Sequence, residues 1–209
     1  MSSVRLSVIR VAAVVAVAAL AGCVNNSPPT RYFTLSDVPP AQRPPTLLGT
    51  GAVPPPARLG AIAMPAELDR QQLVTHSSAN QVQVHEFNRW AAPLDEQIRR
   101  ALSNDLAARM IVTSPALIID PGAPAADRPH RTLTIALSRL DVDAQCAVSM
   151  SVNWALQGGG VEGQSGFEQV DQPAASGECP GAAAATISQA LGVLADRLAP
   201  FVMTNTPPL

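Results

Sequence analysis

The sequence predicts an α+β domain: one mixed, mostly antiparallel sheet with two main helices packed on one face. Three observations carry that prediction. Cys146, Val148, Met150, Val152, Trp154 and Leu156 alternate with Ala147, Ser149, Ser151, Asn153 and Ala155, the period of a strand with one buried face. Leu94, Ile98, Leu102 and Leu106, and later Ile187, Leu191, Leu194, Leu198 and Phe201, recur at three- and four-residue spacings, as on a helix lying against a core. Glycine and proline clusters separate these runs, and no internal repeat is visible, so the chain reads as a single domain.

The chain opens with Arg5 and Arg10 ahead of an apolar run, residues 11–21, that closes on Leu20-Ala21-Gly22-Cys23. This is the pattern of a secretory signal ending in a lipidation box. The run is too short to cross a hydrocarbon layer, which takes about 20 apolar residues. Residues 1–22 are therefore expected to be removed, and the Cys23 thiolate to take a diacylglyceryl group before palmitate or a similar chain completes the anchor. Two or more acyl chains exceed the two-signal threshold for stable attachment. Val24 and Asn25 follow, with no aspartate to retain the product at the inner membrane, so the expected location is the periplasmic face of the outer membrane. Residues 23–30 are small, polar and proline-bearing, which suits a flexible stalk. The expected domain is 31–203, with a short tail at 204–209.

Within the domain, Tyr32-Phe33-Thr34-Leu35 is a short β-prone run. Pro39-Pro40, Pro44-Pro45 and Pro54-Pro55-Pro56 then mark an extended connection that can be neither helix nor central strand. Residues 58–64 resume a strand pattern, with Leu59, Ala61 and Ala63 set against Gly60, Ile62 and Met64. Residues 68–74 look like a connection, and residues 81–87 alternate, Val82 and Val84 pointing one way. Pro93 suits the first turn of the next helix, where Asp95 and Glu96 favour the positive dipole end and precede Arg99 and Arg100 by four residues. Residues 116–119 form a short strand stopped by Asp120-Pro121-Gly122. Leu133, Ile135 and Leu137 alternate before Leu140 and Val142 shift phase, predicting a bulge near Ser138-Arg139. Gly158-Gly159-Gly160 turns the long strand into a weaker one at 163–170, and the last helix runs to about Pro200.

All 14 basic residues are arginine; two lie in the leader, so the mature chain carries 12 against 16 acidic residues, a net charge of −4. Neither nucleic acid nor an anionic surface is the main partner such a balance predicts. Cys146 and Cys179 remain after lipidation and, in an oxidising compartment, read as a disulfide closing a 33-residue loop. Such a bridge contributes about 3 to 4 kcal/mol in the chain-entropy account. His76, His85 and His130 lie in no zinc spacing, so no metal or other cofactor is expected. Gly163-Gln164-Ser165-Gly166 is not a nucleophile elbow and reads as a strand kink, while Gly158-Gly159-Gly160 lacks the lysine of a phosphate loop. The expectation is therefore a non-enzyme, with an envelope hydrolase as the minority reading.

Leu68-Asp69-Arg70-Gln71-Gln72-Leu73-Val74, Asn80, and Phe87-Asn88-Arg89-Trp90-Ala91-Ala92-Pro93-Leu94 together resemble the PqiC/YmbA lipoproteins, auxiliary components of ABC-type transport systems. The strand soon after the cysteine and the order of elements are similar too. Gln71 stands where the family usually has proline, and Ala92 where many members have glutamate. The resemblance implies a role beside MCE-domain (PqiB-like) proteins, which carry lipids between the two membranes under an inner-membrane permease and ATPase. It implies that this chain is the outer-membrane end, docking the MCE partner through Leu68, Asp69, Arg70, Leu73, Arg89 and Trp90. For residues 68–74 a turn leading into a strand competes with that docking role. For Arg89-Trp90 a packing corner does, with Trp90 capping the core. A homo-oligomer is compatible with this reading, and the rival role is accessory lipoprotein of a lipopolysaccharide-export or secretin machine.

Overall fold

The computed structural model describes residues 28–40, 55–110, 118–119 and 130–203, the pair 118–119 by backbone alone. The signal segment, Cys23, most of the proline-rich connection, the stop after residue 119 and the C-terminal tail lie outside the described residues.

Among the described residues, eight strands and two long helices follow one another: β1 (Arg31–Phe33), β2 (Ala57–Ala63), β3 (Gln72–Ser78), β4 (Gln81–Trp90), α1 (Leu94–Met110), β5 (Ile118–Ile119), β6 (Arg131–Val142), β7 (Val148–Gly158), β8 (Gln164–Gln172) and α2 (Gly181–Met203). The fold is α+β, as the patterns predict, but the strands form two mixed sheets where the sequence suggests one. The larger runs β5-β2-β6-β7-β8, with β2 parallel to both β5 and β6 and the meander β6-β7-β8 antiparallel. A strand has two edges, and those of β6 are taken by β2 and β7. The β3–β4 hairpin pairs instead with the parallel β1, packs against β6, and makes an isolated bridge between His76 and Asp143.

Both helices lie side by side over the larger sheet, α1 toward β2 and α2 toward β7 and β8. The α1 stripe of Leu94, Ile98, Leu102 and Leu106 is buried, as are Val148, Met150, Val152, Trp154 and Leu156 of β7. The β6 bulge falls between Leu137 and Arg139, where the phase shift predicts it. In β2 the simple alternation fails. A register shift between Leu59 and Ile62 turns both inward and leaves Ala61 and Ala63 exposed. Cys146 is buried but precedes the strand, in a left-handed conformation at φ 66°. There Asp143 organises the turn, its Oδ1 accepting the backbone N–H groups of Gln145 (2.9 Å) and Ala147 (2.8 Å). Cys146 is bridged to exposed Cys179, with Cα atoms 5.8 Å apart.

Gly158, Gly159 and Gly160 all take positive φ, as their tight turn requires. Gly166 is not a kink: it pairs in register with Trp154, and a Cβ there would lie 2.9 Å from the indole. Helix α2 continues three residues past its expected end at Pro200. Pro200 removes one hydrogen bond from the last turn. That loss is offset by Phe201, whose ring sits 4.6 Å from that of Trp154, and by buried Arg131, which donates to the Val202 carbonyl at the negative end of the helix.

Candidate docking site

Residues 68–74 and 87–94 converge on one corner of the domain. Pro65 opens a single 3-10 turn, Ala66–Leu68, closed by the Leu68 and Asp69 N–H groups donating to the carbonyls of Pro65 (3.0 Å) and Ala66 (3.2 Å). The chain then enters β3, so this segment is a turn leading into a strand. At the end of β4 the Trp90 N–H donates to the Gln71 carbonyl at 2.7 Å, and Gln72 pairs with Arg89. On the other side, Ala91 N–H donates to the Phe33 carbonyl at 2.9 Å. The last turn of β4 thus ties together β1, β3 and the start of α1.

This geometry divides the residues assigned to partner contact. Leu68, Leu73 and Trp90 are 8%, 1% and 5% exposed and belong to the core, where Leu68 and Trp90 line a tight space with Leu94, Leu140 and Ile187. They cannot meet a partner while the domain is folded, because the strand period and the turn aim their apolar side chains inward. Asp69 and Arg70 are exposed. Arg89 is half-buried, its Nε donating to the Glu86 carbonyl at 3.1 Å. Of the six, only these three present polar groups outward.

Beside the corner runs a strap, residues 34–40, laid across α1 and α2. Its backbone is gripped by helix side chains. Leu35 N–H donates to Gln97 Oε1 (2.9 Å), Ser36 N–H to Ser188 Oγ (3.0 Å) and Val38 N–H to Asp105 Oδ1 (2.6 Å). Arg109, 3% exposed, donates to Asp196 Oδ1 (2.6 Å), to the carbonyls of Val38 (3.1 Å) and Asp105 (2.9 Å), and to the Gly192 carbonyl (2.8 Å). Gly192 is needed for the approach, since a Cβ there would stand 2.8 Å from Val38. Burial pushes the Asp105 carboxyl up to about 6, against the opposing pull of the Val38 N–H and the Arg109 charge, while Asp37 and Asp196 add to the rise. Its second oxygen has no partner. This latch escaped the sequence reading, although a signal exists: Gln97, Asp105 and Arg109 fall beside the apolar stripe of α1, where a solvated residue would be out of place.

A third feature is an open cleft of about 340 Å³ between the β3–β4 hairpin and the β6–β7 turn, lined by His76, Arg139, Asp141, Asp143 and Ser149 among others. His76 Nε2 lies 3.5 Å from Asp141, which also pairs with Arg139. Among the described residues no group of three histidine, cysteine or acidic side chains could hold a metal ion. His85 stands elsewhere, 2.9 Å from Thr75 Oγ1, its pKa lowered by burial.

Two helices brace mixed sheets, with a charged corner and a strap whose backbone is held by buried helix side chains. The chain belongs to the ABC-type transport auxiliary lipoprotein components, whose family model matches residues 33–199. It is thus a component of a lipoprotein family associated with transport systems, not of a known enzyme family. No curated protein matches the chain. A solved structure described only as an uncharacterized protein is similar over 84% of this chain and 99% of its own, at 16% identity and TM-score 0.66. Protein XCC0632 from Xanthomonas campestris is similar over 85% and 96%, at 14% identity and TM-score 0.57. At those identities the likeness shows the fold.

Proposed function

We propose that this chain is the outer-membrane end of an MCE/ABC-type intermembrane lipid transport system. Cys23 anchors it, and it docks an MCE-domain partner through the corner carrying Asp69 and Arg70. The observation that carries the reading is the convergence of residues 68–74 and 87–94. Their apolar members form a rigid base, and their charged members stand on its rim. Rigidly held surface connections are where binding residues concentrate. Through the partner the chain serves the inner-membrane permease and ATPase, maintaining the envelope without performing chemistry.

The test reverses the rim charges. Asp69→Arg with Arg70→Glu is expected to shift folding stability by no more than about 0.5 kcal/mol, as for ordinary surface sites. Like charges facing a complementary interface cost several kcal/mol, so co-purification of the MCE protein should fail. A folded double mutant that recovers the partner at wild-type yield rules out this surface. The anchor is checked separately: Cys23→Ser should leave an unprocessed precursor without labelled palmitate.

A further inference from the structure

We infer that the outer face of the three-stranded sheet, centred on Tyr32 and Phe87, rests on the lipid surface that holds the anchor. This rests on the Cys23 reading above and adds an orientation to it. Tyr32 is 66% and Phe87 40% exposed, two of the four large apolar side chains left in solvent among the described residues. Strand side chains alternate. Phe33 and Trp90, in register on the parallel pair β1 and β4, pack against the core, so Tyr32 and its register partner Arg89 point the other way. Phe87, two residues before Arg89 on the same strand, is exposed beside it, in the stretch where β4 shifts register against β3. The face therefore carries a phenol and a guanidinium, with the exposed Phe87 ring beside them.

The tether selects the occupant. Arg31 begins β1 eight residues after Cys23. Eight residues fully extended span at most about 29 Å. This sheet is thereby confined near the headgroups. Tyrosine and arginine suit that depth: the rings sit among the upper acyl carbons while hydroxyl and guanidinium reach phosphates. With a mature net charge of −4, bulk attraction to anionic lipid cannot supply the contact, so aromatic burial must. No helix among the described residues is long and apolar enough to cross a membrane.

The test uses the full-length lipidated protein in vesicles of phosphatidylethanolamine and phosphatidylglycerol. A benzophenone amino acid replaces Tyr32, Phe87 or, as a control, Phe167, which is 57% exposed on the free edge strand of the other sheet. All three sites are exposed, so folding is retained and is verified by thermal melting. Positions 32 and 87 should photolabel radioactive phospholipid at least about fivefold more than position 167, as interfacial burial demands. Equal labelling at the three sites, or crosslinks from 32 and 87 to protein alone, overturns the orientation. Palmitate incorporation, measured on the same samples, separates the two ideas. Acylated protein without selective labelling defeats the face and spares the anchor, while protein carrying no palmitate removes the anchor and the orientation together.

Discussion

Helix α2 against β7 and helix α1 against the strap are two ways of building one core. On the first side, Ile187, Leu191, Leu194 and Leu198 meet Met150, Val152 and Trp154, and only non-directional burial is involved. On the second, Gln97, Asp105, Arg109 and Ser188 hold the backbone of residues 34–40 through directed hydrogen bonds at almost no exposure. The apolar side should absorb changes of shape that keep volume. The polar side should not, since removing one partner leaves another buried and unsatisfied.

The largest expected effect is on the latch. Arg109→Ala leaves Asp105 buried and Asp196 unpaired, and strips donors from the Val38 and Gly192 carbonyls. Each buried carbonyl left without its donor costs about 1 to 3 kcal/mol, while half-exposed Asp196 falls back on water, and the loss is readable as a fall in the urea midpoint at unchanged slope. Faster proteolysis within residues 34–40 should accompany it. A loss under about 1 kcal/mol would place the latch on the tolerant side of the comparison.

The disulfide comes next and acts on the apolar side, because Cys179 sits at the start of α2 and Cys146 just before β7. Cys146→Ala with Cys179→Ala should cost about 3 to 4 kcal/mol for its 33-residue separation. Alkylation and mass spectrometry of the native protein should find neither thiol free; two free thiols would defeat the bridge.

Asp105 sharpens the contrast through pH. Its folded pKa, raised from 3.8 to about 6, means that the folded state holds the proton more tightly than the unfolded state. Its contribution therefore favours folding below about pH 4 and is lost as pH rises through 6. Asp105→Asn keeps the acceptor for the Val38 N–H but abolishes this titration. Between pH 4 and 7 the variant should gain about 2 to 3 kcal/mol relative to the wild type, the free energy of holding the carboxyl proton that much more tightly in the folded state. Parallel stability curves for the two proteins would contradict it.

The smallest effect belongs to Leu194→Met, fully inside the apolar layer. A volume-conserving swap there should cost under about 1.5 kcal/mol and leave the thermal transition cooperative.

Both helices, the long strand β7 and the β6 bulge were legible because each is written in short-range periodicity. An apolar residue at every second or every third to fourth position has one low-energy arrangement when a single face must leave water. The family blocks were legible too, but not their sense. Leu68 and Leu73 look like surface recognition residues when the segment is read as a connection, and prove to be, with Trp90 capping the core, the packed base beneath Asp69 and Arg70.

What the sequence by itself determined is the class: α+β, two apolar-faced helices, a meander, and a family whose members are transport lipoproteins. Tertiary structure alone decided three further things. The strands divide into two sheets, β1-β4-β3 and β5-β2-β6-β7-β8, through pairings between segments far apart in the chain. Gly166 and Gly192 are small because an indole and Val38 press on them from elsewhere in the chain. The polar residues of α1 are buried because the strap, more than 60 residues away in sequence, supplies their partners. All three depend on contacts between distant segments, whose geometry leaves no period in the chain.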